Sequence, residues 1–163
     1  MTLAGKPGGY VVEHTMNEFD SDCEPSIYDQ NIAHVVAFLK NEGFRPEITE
    51  TGRVYFKFEG HHIYFEANPN DEQQFTLIIP DLWPIEPGER DLAIRTAHLV
   101  SERFRCIKAV VLDSNKVWVL YEGFHNDVAA FTVILNRTVE RLQYGARRFV
   151  DVFNETKASK TIN

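Results

Sequence analysis

Long hydrophobic runs are missing from this 163-residue sequence, and so is any excess of positive charge. No segment approaches the roughly 18 consecutive apolar residues of a membrane-spanning helix. The first residues, Met1 to His14, also lack an apolar stretch of signal-peptide length. Lys and Arg number 17 against 24 Asp and Glu, a net charge of −7. That balance opposes nucleic acid, whose phosphates require a basic surface, and it repels anionic membranes. Cysteine is scarce as well, with only Cys23 and Cys106. Cys23 lies between Asp22 and Glu24, whose charges disfavour a thiolate. Cys106 precedes an apolar strand and is expected in the core. Two such different settings give no disulfide framework, so a reducing, cytoplasmic compartment is expected. The sequence has no GxGxxG, no P-loop and no GxSxG, so nothing in it cradles a phosphate or forms a nucleophile elbow.

What the sequence does contain is one ordered series of elements. Residues 1–25 are rich in Gly and acids, without periodicity, and read as a flexible acidic arm. A single domain is expected over 26–154, followed by a frayed tail at 155–163. Ser26 is a good N-cap, with Asp29 three residues on. The first helix is expected from Ile27 to Glu42, with Tyr28, Ile32, Val35, Val36 and Leu39 on one face. Gly43 stops it, and Phe44 can fold back on that face. A three-strand meander follows. Val54–Glu59 and His62–Glu66 alternate, and Gly60-His61 suits a two-residue turn that pairs Phe56 with Phe65. A three-residue loop Thr51-Gly52-Arg53 would pair the preceding Ile48 with Phe56. The next strand, Gln74–Ile79, is reached through a turn at Asn68–Asp71. Phe56, Phe58, Ile63, Phe65 and Leu77 should share one buried face with Val35 and Leu39.

Pro80, Pro84 and Pro87 then interrupt regular structure, yet Leu82, Trp83 and Ile85 lie among them. A stiff, exposed Trp is a low-entropy anchor, so Leu82, Trp83 and Ile85 are the candidate partner-binding residues. The competing reading is a plug over an open sheet edge. A second helix is expected from Gly88 to Arg105. It is followed by a hairpin, Ile107–Asp113 and Lys116–Tyr121, turning at Ser114-Asn115. With that turn, Val110 and Leu112 share a face with Val117, Val119 and Tyr121. Ile107, Ala109 and Val111 share the other face with Trp118 and Leu120. Both faces are apolar and need cover. Val110, Val117, Val119 and Tyr121 are therefore the candidate homodimer interface. The last helix, Asn126–Phe153, carries Val128, Leu135, Leu142 and Phe149 at heptad spacing beside Phe131, Thr138, Gly145 and Val152.

The chemistry-bearing residues do not converge. His61 and His62 are adjacent on a strand and point to opposite faces, so they cannot chelate together. Glu18, Asp20, Asp22 and Glu24 alternate like a calcium loop but lack its glycine and terminal Glu. His34, His98 and His125 are scattered singly. Arg137, Arg141 and Arg148 lie near one face of the last helix, with Glu140 and Asp151 interleaved. No catalytic or metal site is expected, and no cofactor.

The order α-β-β-β-α-β-β-α, an antiparallel meander plus hairpin packed with helices, resembles the α+β type III secretion chaperone-like fold. Within it, Leu39-Lys40-Asn41-Glu42-Gly43-Phe44 and Leu112 to Val119 resemble the YbjN-like family of small bacterial proteins, described as sensory transduction regulators. The resemblance covers roughly residues 27–153. It implies non-enzymatic protein binding, chaperone-like or regulatory, and supplies no catalytic residue. The expected partner is another protein, with a homodimer besides. The alternative is a small-molecule binder or enzyme with a pocket between the sheet and a helix.

Overall fold

Ser26 opens the first helix as its sequence context requires. Its hydroxyl accepts from the Asp29 backbone N–H at 3.1 Å. The structure is a computed structural model describing residues 24–161. The acidic arm before Glu24, with Cys23, lies outside the described residues. Helix α1 (Ile27–Asn41) is followed by β1 (Glu47–Ile48), β2 (Val54–Phe58), β3 (His61–Asn68) and β4 (Asp71–Pro84). Then come α2 (Arg90–Arg103), β5 (Ile107–Val111), β6 (Lys116–Phe124) and α3 (Val128–Thr161). The strands form one antiparallel sheet in the order β1-β2-β3-β4-β6-β5. The helices pack on one face of it and leave the other open. This is the α+β order expected from the sequence, with the short β1 added at the sheet edge.

The β2–β3 turn sits one residue earlier than expected. Glu59 and Gly60 both take positive φ, 43° and 86°, which makes a two-residue type I′ turn. Phe56 therefore pairs with Ile63, and Val54 with Phe65. Glu59 is held in this unfavourable conformation from outside the hairpin. Its Oε2 accepts from Gln143 Nε2 at 2.6 Å and Arg147 Nη2 at 2.8 Å, both on α3. The β1–β2 loop moves in the same way, so that Ile48 faces Val54 rather than Phe56. Each correction shifts the pairing by two residues. Side chains alternate with period two, so no residue changes face. Val54, Phe56, Ile63, Phe65 and Leu77 are fully buried with Val35 and Leu39, while Phe58 is half-buried.

The late hairpin moves by one residue, and that changes the outcome. Leu112 N–H donates to the Lys116 carbonyl across a three-residue loop, Asp113-Ser114-Asn115, with Asn115 at φ 57°. Val111 now faces Val117, Ala109 faces Val119 and Ile107 faces Tyr121. These residues form the helix-side face. Val110 lies opposite Trp118 on the open face. The expected grouping of Val110 with Val117, Val119 and Tyr121 is thus replaced. The last three are core residues of the single chain.

Strand β4 also runs past the expected stop at Ile79. Between Ile79, opposite Val119, and Trp83, opposite Val117, the residues Pro80, Asp81 and Leu82 bulge against Trp118 alone. Asp81 takes φ 49° there. The bulge places Pro80 where no ladder hydrogen bond is needed, and Pro84 ends the strand.

Helix α3 is about 50 Å long at 1.5 Å per residue. Its Phe131, Leu135, Leu142, Phe149 and Phe153 are fully buried. Gly145 brings it against β5, where a Cβ would stand 2.9 Å from Ile107 Cγ2. Residues 155–161, expected as a frayed tail, continue the helix to Thr161. Lys157 Nζ pairs with Glu89 at 2.5 Å, fastening this end beside the start of α2.

Candidate functional site

The helices leave one face of the sheet uncovered. Tyr55, Tyr64, Ile78 and Leu120 face one another in a row across four strands. Trp118 and Val110 extend it toward the edge. Ile78 is only 5% exposed although no helix lies over it, because its neighbours in the row shield it. The row exists because β2, β3, β4 and β6 each place one large side chain, Tyr55, Tyr64, Ile78 and Leu120, at the same level of the open face, while neighbouring open-face positions such as His62, Glu66, Thr76 and Glu122 are polar or charged.

Two ion pairs lie beside this row, while Glu47 and Lys57, next to Tyr55 on the same face, take part in no ion pair among the described residues. Lys108 pairs with Glu122, and Arg53 with Glu66. Asp81, aimed by its bulge, accepts from Lys116 Nζ at 2.5 Å and Trp118 Nε1 at 3.1 Å. Those two hydrogen bonds hold its carboxyl below the usual range. The large apolar and aromatic side chains of the row suit an apolar occupant. His62 Nδ1 lies 2.8 Å from the Tyr55 hydroxyl at the same border. Burial, then the Arg147 charge, lowers the pKa of the neighbouring His61.

The edge beside this face is closed to an added strand. The Ala109 N–H on β5 donates to Ser101 Oγ of α2 at 3.0 Å. The hydroxyl thus consumes an edge donor that an incoming strand would use, the usual way to protect an edge. At the other edge, β1 is two residues long.

The candidate anchors do not form one exposed group. Ile85 is buried, 8% exposed, and cannot serve as a contact. Leu82 and Trp83 are half-buried against the core. The Trp83 ring packs on Phe153 of α3, with centroids 5.8 Å apart. Of the four candidate interface residues, only Val110 is exposed.

Scattered groups settle elsewhere. Cys106, expected in the core, is exposed at φ 65°, because Ile107 takes the inward position as β5 begins. The His125 ring stacks on Phe75, and its Nε2 lies 2.9 Å from the Tyr121 hydroxyl. Burial lowers the His125 pKa and raises that of Tyr121. Among the described residues, no three His, Cys, Asp or Glu gather as metal ligands. Nor is any helix among them long and apolar enough to cross a membrane. Sequence reasoning missed the open-face row. Its signal was present in Tyr55, Tyr64, Ile78 and Leu120, which occupy the positions alternate to the core residues.

These elements define an α+β domain of the type III secretion chaperone-like fold. One solved chain with this fold comes from the heterodimeric ExoU-SpcU complex of the type III secretion system of Pseudomonas aeruginosa. It is 21% identical to the present chain, with a TM-score of 0.51 over 72% of this chain and 96% of the other. No family model matches the sequence, and no curated protein does.

Proposed function

We propose that this chain is a non-enzymatic protein-binding module, chaperone-like or regulatory, whose open sheet face receives an apolar segment of another protein. The observation that carries the reading is the row Tyr55, Tyr64, Ile78 and Leu120, uncovered by any helix. Aromatic and aliphatic groups grouped in this way are the usual anchors of a binding surface. The heterodimeric state of the solved neighbour supports a protein partner. The pattern of sizes and turns at Leu39–Phe44 and Leu112–Val119 supports the YbjN-like reading, and the scarcity of cysteine supports a reducing, cytoplasmic setting.

The same reading includes a homodimer of about twice 18.8 kDa in sedimentation. The exposed Ile94 and Leu99 of α2, together with Val110, support it in place of the buried valines.

Leu120→Asp tests the face. It is half-buried, so the charge reaches solvent while the helix-side core stays intact. Capture of the partner should weaken by more than about 1 kcal/mol. Val133→Asp, on an exposed α3 position, should leave capture unchanged. Equal capture by both variants would remove the open face from the function.

A further inference from the structure

One groove concentrates positive charge on this acidic chain. It lies between α3 and the start of β5, and has a volume of about 340 Å³. Arg137 and Arg141, one turn apart on α3, line it together with Arg105, which precedes β5. No carboxylate lines it. The groove between α2 and α3 differs: there Arg103 and Arg148 share the lining with Glu102 and Glu155. Among the described residues, the ion pairs take up other cations and leave Arg105, Arg137 and Arg141 without a carboxylate. Ile107, Ile134 and Tyr121 contribute apolar surface to the lining, beside Cys106 and Thr138.

We infer that this groove binds a small organic oxyanion of two or more negative charges, a phosphate ester or a dicarboxylate, with an apolar body. Three arginines from two elements line one groove without a carboxylate, so a bound anion would relieve the repulsion among their like charges. Each offers a planar fork of donors that matches a carboxylate or phosphate. The net charge of −7 sharpens the selection, because an anion is repelled from most of the surface and attracted only locally. Ile107 and Ile134 add a term that inorganic ions cannot use. The site is separate from the open sheet face, so it stands or falls independently of the partner-binding reading.

Cys106 lines the same groove and is exposed, which makes it a local reporter. In a Cys23→Ser background it is the only thiol of the sequence. Alkylation of Cys106 by neutral iodoacetamide is followed with phenyl phosphate, phthalate or inorganic phosphate, at ionic strength matched with sodium chloride. Phenyl phosphate or phthalate should slow the reaction about tenfold near ten times its dissociation constant. Inorganic phosphate should need a higher concentration for the same effect. The comparison of the two organic anions identifies which oxyanion the groove takes. Arg137→Gln with Arg141→Gln should abolish the protection, and Arg95→Gln on α2 should preserve it. Protection by neither organic anion would overturn the site. So would protection equalled by chloride, or protection that survives the double substitution.

Discussion

Trp83 lays its indole against Phe153 near the end of α3, the ring centroids 5.8 Å apart and the planes inclined by 51°. The contact ties the proline-flanked end of β4 to the last turns of the longest helix. Trp83→Ala should therefore destabilise the domain by about 2 kcal/mol, less than a fully buried aromatic because the side chain is only partly buried. Urea denaturation measures it. An unchanged midpoint would return Trp83 to the role of a partner anchor.

Phe56 is fully buried, and its ring meets Phe44 edge-on at 5.5 Å. Phe56→Ala should cost about 3–5 kcal/mol, the range for truncating a core aromatic. The loss should appear in equilibrium unfolding, with Phe44 freed from its fold-back onto α1. A stable variant would contradict the burial of this face.

Ser101 protects the β5 edge through Ala109. Ser101→Ala should lose about 1–2 kcal/mol by leaving that amide without its acceptor. It should also speed hydrogen exchange at Ala109 and promote self-association through the freed edge. Exchange at Ala109 as slow as in the parent would mean that another group covers the strand.

Burial keeps the pKa of His125 below its unfolded value. Between the two values the unfolded chain binds the proton and the folded chain does not. Stability is then full above the unfolded pKa near 6.5 and falls as pH drops toward the lower folded one. His61 acts in the same direction. The thermal midpoint should therefore fall between pH 7.5 and 5.5, and His125→Gln should reduce that fall. Asp81 and Glu89, with lowered carboxyl pKa values, titrate below this window. A midpoint equally pH-dependent in His125→Gln would assign the effect elsewhere.

The two hairpins show how far the pattern could be read. At Glu59-Gly60 the alternatives differ by two residues, and Phe56, Ile63 and Phe65 stay inside under either. At Asp113-Ser114-Asn115 the choice is between a two- and a three-residue loop. Both faces of β5 and β6 are apolar, so the alternation itself does not decide between them. The longer loop turned Val117, Val119 and Tyr121 inward and brought Trp118 and Leu120 to the open face.

The sequence by itself determined the element order, the caps and stops of α1, the heptad seam of α3 and the core of the early meander. These follow from local spacing and from alternation, which are properties of neighbours along the chain. Only the tertiary structure decided where each turn closed, that Glu59 is held by Gln143 and Arg147, that Ser101 seals an edge, and that three arginines surround one groove. Those depend on residues far apart in the chain meeting in space, and the free energies of such meetings leave no period in the sequence.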